Sequence, residues 1–256
     1  MIKTTNPAIK NMEHYCSGEE LVDEKKVATY KGVAFKSLYY VALTLIAAFG
    51  TAILLVRLPA FSVLIAACVI APIGALVCSL IASFAPATVP VTGSLYAIFE
   101  GAFVGAYSKL IDLAYPGVAF AALVSTFVTF GIMMALYATG VIRVGSKFRA
   151  FMFSALLCVL VCELVIAILG FFIPATTYLF YGNTWVAMIA AAIMVVLAAL
   201  YILVDLSDIT MMVDGHIEKK YEWNAAFGLS VTLLWLYVEI LRLLAIIASM
   251  FGKKKN

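Results

Sequence analysis

The sequence predicts an all-α integral membrane protein of seven transmembrane helices. Apolar residues make up 65% of the 256 residues and mean hydropathy is +1.10, which is more hydrophobic surface than one globular core can hide. The apolar runs mostly reach the roughly 20 residues that an α-helix needs to cross about 30 Å of hydrocarbon. Alternating segments of about ten residues, the mark of a β-barrel, do not occur.

Residues 1–35 read as a polar tail, flexible or lying at the membrane interface, whose charged stretch EELVDEKK resists burial. It has no early apolar region and no small-residue cleavage site, so the first membrane helix is expected to act as its own insertion signal. A single transmembrane domain is expected over residues 36–250, followed by a basic tail over 251–256.

Segment one runs from about Phe35 to Val56 and stops at the turn Arg57, Leu58, Pro59. Segment two, about Ala60 to Phe84, is uncharged. Pro72 near its middle predicts a kink, because proline removes one backbone bond and clashes with the preceding turn. After the rigid link APATVPVTG, segment three covers about Ser94 to Ala114 and contains Glu100, Lys109 and Asp112. Gly101 and Gly105 form a GxxxG spacing that lets another helix approach closely.

Segment four covers about Val118 to Val141, and segment five about Phe148 to Phe172 with Glu163 inside. A loop through Pro174, Gly182 and Asn183 leads to segment six, about Trp185 to Leu206. Segment seven, about Asn224 to Met250, holds Glu239 and Arg242.

Positive loops stay in the cytoplasm. The N-terminal tail, the loop with Arg143, Lys147 and Arg149, and the loop with Lys219 and Lys220 share one side. The N-terminus is therefore expected inside and the C-terminus outside. Lys253, Lys254 and Lys255 run against that orientation and would favour the cytoplasm if segment seven were re-entrant.

The acids inside apolar segments need a reason, since a charge at bilayer depth costs roughly 2.5 to 3.5 kcal/mol even on the lenient insertion scale. At 1.5 Å rise per residue, Glu100 is expected roughly 10 Å from the cytoplasmic side, near Asp205 and Asp208, while Glu163 and Glu239 both lie roughly 22 Å in. Two acidic layers result. Asp205 and Glu100 are the leading candidates for an ion pathway and a calcium site, with Asp208 as support.

Each acid also has a structural reading. Glu163 either lines a pathway or holds the bundle by a hydrogen bond, and Glu239 with Arg242 either works in the pathway or forms an internal ion pair. Asp208 can serve at the headgroups, and Lys109 with Asp112 reads as a pair one turn apart. Clustered carboxyls in low dielectric share protons, and once deprotonated they attract hard cations such as calcium.

Enzyme chemistry has little support. The histidines are His14 in the tail and His216 in a loop, and no HExxH, GxSxG or phosphate-binding loop occurs. No cofactor is expected. A net charge of +3 without a basic stripe argues against nucleic acid. Cys68, Cys78, Cys158 and Cys162, all within apolar runs, read as small buried hydrophobes.

Several motifs together resemble the Bax inhibitor-1/YccA family of transmembrane Bax-inhibitor-motif proteins, in particular a bacterial subgroup. They are NPAIKN near the start, LYAIFEGAFVGAYSKLIDLAYPGV in segment three, LYATGVIRVGSKFR before segment five, LVDLSDI ending segment six and EWNAAFGLSVTLLWLYVEILRLL in segment seven. The resemblance implies a multi-pass protein of the bacterial inner membrane, with a seventh helix wrapped by the other six.

It also implies a pH-sensitive calcium leak, gated by a pair of acids on helices six and seven. Asp205 matches the helix-six position. Alignment on the pattern around Tyr237 gives Glu239 as its partner, whereas counting from the start of segment seven lands near Leu229 to Thr232, where no acid stands. Segment two lacks the basic residue that some members carry, and Glu100 is a candidate to take over part of the latch. The alternative function is regulatory: a protein that binds a membrane protease or another membrane complex through its N-terminal tail, without transport.

Overall fold

In lipid only the helix itself can satisfy the backbone, so each long apolar run folds as a helix. The computed structural model describes residues 27–57, 61–182 and 184–252. Residues 1–26 and 253–256, most of the two expected tails, lie outside that description. The helices are α1 (Tyr30–Arg57), α2 (Phe61–Ile65), α3 (Ala71–Phe84), α4 (Val89–Ala114), α5 (Val118–Ala138), α6 (Ser146–Phe172), α7 (Pro174–Tyr181), α8 (Trp185–Asp214) and α9 (Glu222–Phe251). Among the described residues, seven spans are long and apolar enough to cross a membrane: α1, α2 with α3, α4, α5, α6, α8 and α9. The protein is an all-α membrane protein, and its one β contact among the described residues is an isolated bridge between Val27 and Glu218. The face at which α1, α4, α6 and α9 begin is called the near face below.

Four local features differ from the sequence reading. A π-helical turn over Ala66–Ile70 joins α2 to α3 directly ahead of Pro72, where the ring would clash with an α-helical carbonyl and the missing N–H would leave one unpaired. The link before segment three is itself helical: Pro86 opens a 3-10 turn and α4 starts at Val89 with Pro90 in its first turn, a position that tolerates proline. The loop after α6 contains α7, again opened by a proline, Pro174. Finally, α8 continues two turns beyond Leu206 to Asp214, so Asp205 and Asp208 lie inside a helix and not at its end.

The bundle is held by close contacts that small residues permit. A Cβ on Gly101 would meet the Thr44 carbonyl and, at 2.8 Å, Ala47 Cβ, and one on Gly105 would strike the backbone of Ala48. The GxxxG spacing thus seats α4 on α1. Beside it Tyr40 donates to the Val89 carbonyl at 2.9 Å and packs edge-on against Trp223 and Phe227 of α9. Of the six helices expected to wrap α9, its principal neighbours are α1, α4, α5 and α8. Ile202 of α8 and Leu236 and Leu241 of α9 are fully buried in one apolar cluster.

At the near face α1 and α9 are clamped by a fully buried acid. Glu222 accepts from the Thr29 N–H at 2.8 Å, from the Thr29 hydroxyl at 3.1 Å and from Lys36. Gly32 faces this carboxylate, and a Cβ there would collide with it.

The fifth span, α6, is peripheral: only Met152 on it is buried, and Cys158 and Cys162 point outward. Those two cysteines are therefore not buried hydrophobes; they face the lipid side, where a small apolar side chain is equally at home. Cys78 is buried and Cys68 half-buried, nearer the expectation.

Candidate functional site

Sequence spacing puts Tyr201, Asp205 and Asp208 on one side of α8, and Thr232, Trp235, Glu239 and Arg242 on one side of α9, since residues three and four apart share a helix face. Where α8 and α9 pack together, these two stripes meet in a line of polar groups through an otherwise apolar seam.

At the near end of the line Arg149, in the first turn of α6, pairs with Asp208 and donates to the Ser207 hydroxyl at 2.6 Å. Asp208 is 52% exposed and Ser207 is buried. Arg149 was not among the candidates from sequence, where it counted only as a loop charge; the basic residue at the near end of the line comes from the fifth span and not from the uncharged second.

One turn deeper Asp205 faces Thr232 of α9. Its Oδ2 is buried and has no hydrogen-bond partner among the described residues. Nine residues separate Asp205 from the end of α8, so it sits about 14 Å from that end. The near neighbour on α9 is thus a hydroxyl, at the position where counting along segment seven finds no acid. Tyr201, a turn further on, stacks edge-on against Trp235 with ring centroids 6.3 Å apart.

Beyond that aromatic pair the indole N–H of Trp235 donates to Glu239 Oε1 at 3.3 Å, and Arg242 Nη1 approaches Oε2 at 3.4 Å. Both side chains are nearly buried, and the guanidinium lies over the Tyr181 ring of α7, 5.2 Å from its centroid. The Nε of Arg242 has no hydrogen-bond acceptor among the described residues. Glu163 is close enough for its charge to act on Glu239. Each of these two acids stands 17 residues beyond the first residue of its helix, about 26 Å along the axis.

Glu100 belongs to another part of the bundle. It is half-buried eleven residues into α4, about 16 Å along, with Tyr96 of the same helix beside it. Among the described residues no hydrogen bond or ion pair joins Asp205 to Glu100 or to Glu239, and α4 and α8 are not principal neighbours. No group of three or more His, Cys, Asp or Glu side chains is placed to hold a metal among the described residues. The expected Lys109–Asp112 pair is also not formed: Asp112 Oδ1 instead accepts the Gly117 N–H at 2.8 Å, closing the turn after α4.

The line therefore has two electrostatic characters. Arg149 with Asp208, and Arg242 with Glu239, are acids matched by bases. Asp205, between them, has no cationic partner among the described residues.

A family described as Bax inhibitor 1 like matches residues 5–249 of the chain. No curated protein matches it.

Proposed function

The chain belongs to the Bax inhibitor 1-like family, and from that premise we propose a pH-sensitive calcium leak or cation transporter gated by protonation of carboxyls inside the membrane. The observation that carries this reading is Asp205: a carboxyl inside the sixth span with one oxygen unpartnered and a hydroxyl, not a base, across from it. Protonated, it is neutral and compatible with a closed, dry seam. Deprotonated, it is an isolated charge at depth, which is costly unless water or a cation joins it. Opening of the α8–α9 seam to water supplies both, with calcium as cargo favoured by oxygen ligands.

Asp208 with Arg149 guards the near mouth in this reading, and Glu239, Arg242 and Glu163 form the layer toward the far face. Glu239 is already neutralised by Arg242 and is a weaker sensor than Asp205. Glu100 is a separate intramembrane acid outside this seam. The near face, which carries Arg143, Lys147, Lys219 and Lys220, is assigned to the cytoplasm of a cell membrane by the positive-inside rule.

The test is calcium flux into vesicles loaded with a calcium indicator, measured across the neutral pH range. The intact protein is expected to give flux that changes with pH, and Asp205→Asn, which removes the proton switch and keeps the shape, flux that does not. Flux equal to that of protein-free vesicles at every pH overturns the proposal.

A further inference from the structure

A cavity of about 350 Å³ opens between α1, α4, α5 and α9, away from the α8–α9 line. That volume is within the range of small-molecule sites. Along α1 its wall extends from Val41 to Ala52, about 16 Å parallel to the helices. The cavity is therefore long in the direction in which an acyl chain lies. Ala48, Ala52 and Ala119 leave the room for it.

The hydroxyls in the wall have no proton to offer. Thr44 donates to the Tyr40 carbonyl at 3.0 Å, Thr126 to the Ala122 carbonyl at 2.8 Å, and Ser108 to the Val104 carbonyl at 2.6 Å. The Tyr237 hydroxyl, 2.8 Å from Ser108, is left to donate to it. A wall whose hydroxyls are all engaged suits hydrocarbon better than water.

Charge is confined to one rim, at the C-terminal end of α4. Lys109 and Asp112 both line the cavity there, both half-buried. They are one turn apart and not paired with each other: Asp112 gives one oxygen to Gly117, and Lys109 has no ion-pair partner among the described residues. A lysine near a helix end lifts its ammonium toward the headgroups, where a lipid phosphate lies.

We propose that this cavity is a lipid site that takes one acyl chain of a glycerophospholipid whose headgroup carries a phosphate for Lys109 and a primary ammonium for Asp112. A purely anionic headgroup would meet the Asp112 carboxylate, and a quaternary ammonium has no N–H to give it. The site shares no lining residue with the polar groups of the α8–α9 line, so it stands apart from the leak reading.

The experiment uses the full chain in phosphatidylcholine nanodiscs doped with a phosphatidylethanolamine that carries a photoreactive group in mid-chain, and mass spectrometry locates the label. Label is expected on Ala48, Ala52 and Leu123, and unlabelled phosphatidylethanolamine should compete better than phosphatidylglycerol or added phosphatidylcholine. Lys109→Ala should weaken labelling about fivefold, the size of one exposed charge contact. Asp112→Asn, which keeps the acceptor for Gly117, should do the same. Ala52→Phe should block it by filling the cavity, and if that variant does not fold, Lys109→Ala alone decides. Label spread equally over outward residues of α6 such as Leu164 and Ile168, equal competition by all three lipids, or labelling unchanged in Lys109→Ala would each overturn the proposal.

Discussion

Arg149 of α6 and Asp208 of α8 are joined by an ion pair at the near end of the polar line, and the same guanidinium holds Ser207 at 2.6 Å. Because Asp208 is half exposed, the pair contributes little to stability: Arg149→Ala should change it by less than about 1 kcal/mol. If the pair guards the mouth, the same variant should raise calcium flux in vesicles, and the charge swap Arg149→Asp with Asp208→Arg should bring it back down. Flux unaffected by either change would remove Arg149 from the gate.

Arg242 and Glu239 should behave in the opposite way, because both are nearly buried. Arg242→Gln leaves an unpaired buried acid and is expected to cost about 3 kcal/mol, whereas Glu239→Gln with Arg242→Gln together should recover most of that loss. Trp235→Phe removes one hydrogen bond to Glu239 and should cost about 1 kcal/mol. Thermal denaturation of the detergent-solubilised protein measures all three.

Thr232→Asp places a second acid across from Asp205. Two facing carboxyls titrate as a coupled pair, so the flux of this variant should depend on pH differently from that of the intact protein, with two resolvable steps. A pH profile superimposable on the unmodified one would show that position 232 does not see Asp205.

Gly105→Val should separate α1 from α4, since even a Cβ there strikes Ala48. Overpacking of this kind costs about 1 to 3 kcal/mol. Gly131→Val in α5 is the control, because nothing lies within 4 Å of a Cβ at that glycine. A lower melting temperature for the first substitution and not for the second is the expected result.

Helix number and the GxxxG contact were legible because both depend on local pattern, namely length of apolar run and spacing of small residues. Helix ends were less so. Pro86, Pro90 and Pro174 read as breakers in sequence, yet each occupies the opening turn of a helix, where its missing N–H costs nothing. Asp205 could be singled out as an acid in an apolar run, but its neighbour Thr232 could not, because a threonine in a membrane helix carries no signal by itself. Glu100 was drawn toward Asp205 by depth and by the family resemblance. Depth says nothing of which helices are adjacent, and α4 and α8 pack chiefly on others. The equal placement of Glu163 and Glu239 along their helices needed only counting.

The clamp between Lys36 and Glu222 joins residues 186 positions apart. Because a chain is made from its N-terminus, α1 enters the membrane with Lys36 and the Thr29 donors unmatched, and five further spans follow before the acid that satisfies them is synthesised. The clamp therefore ties the start of the first span to the start of the last. Until residue 222 is in place, the Thr29 N–H and the Lys36 ammonium lack the carboxylate that satisfies them in the folded chain, so the first span reaches its final contacts late.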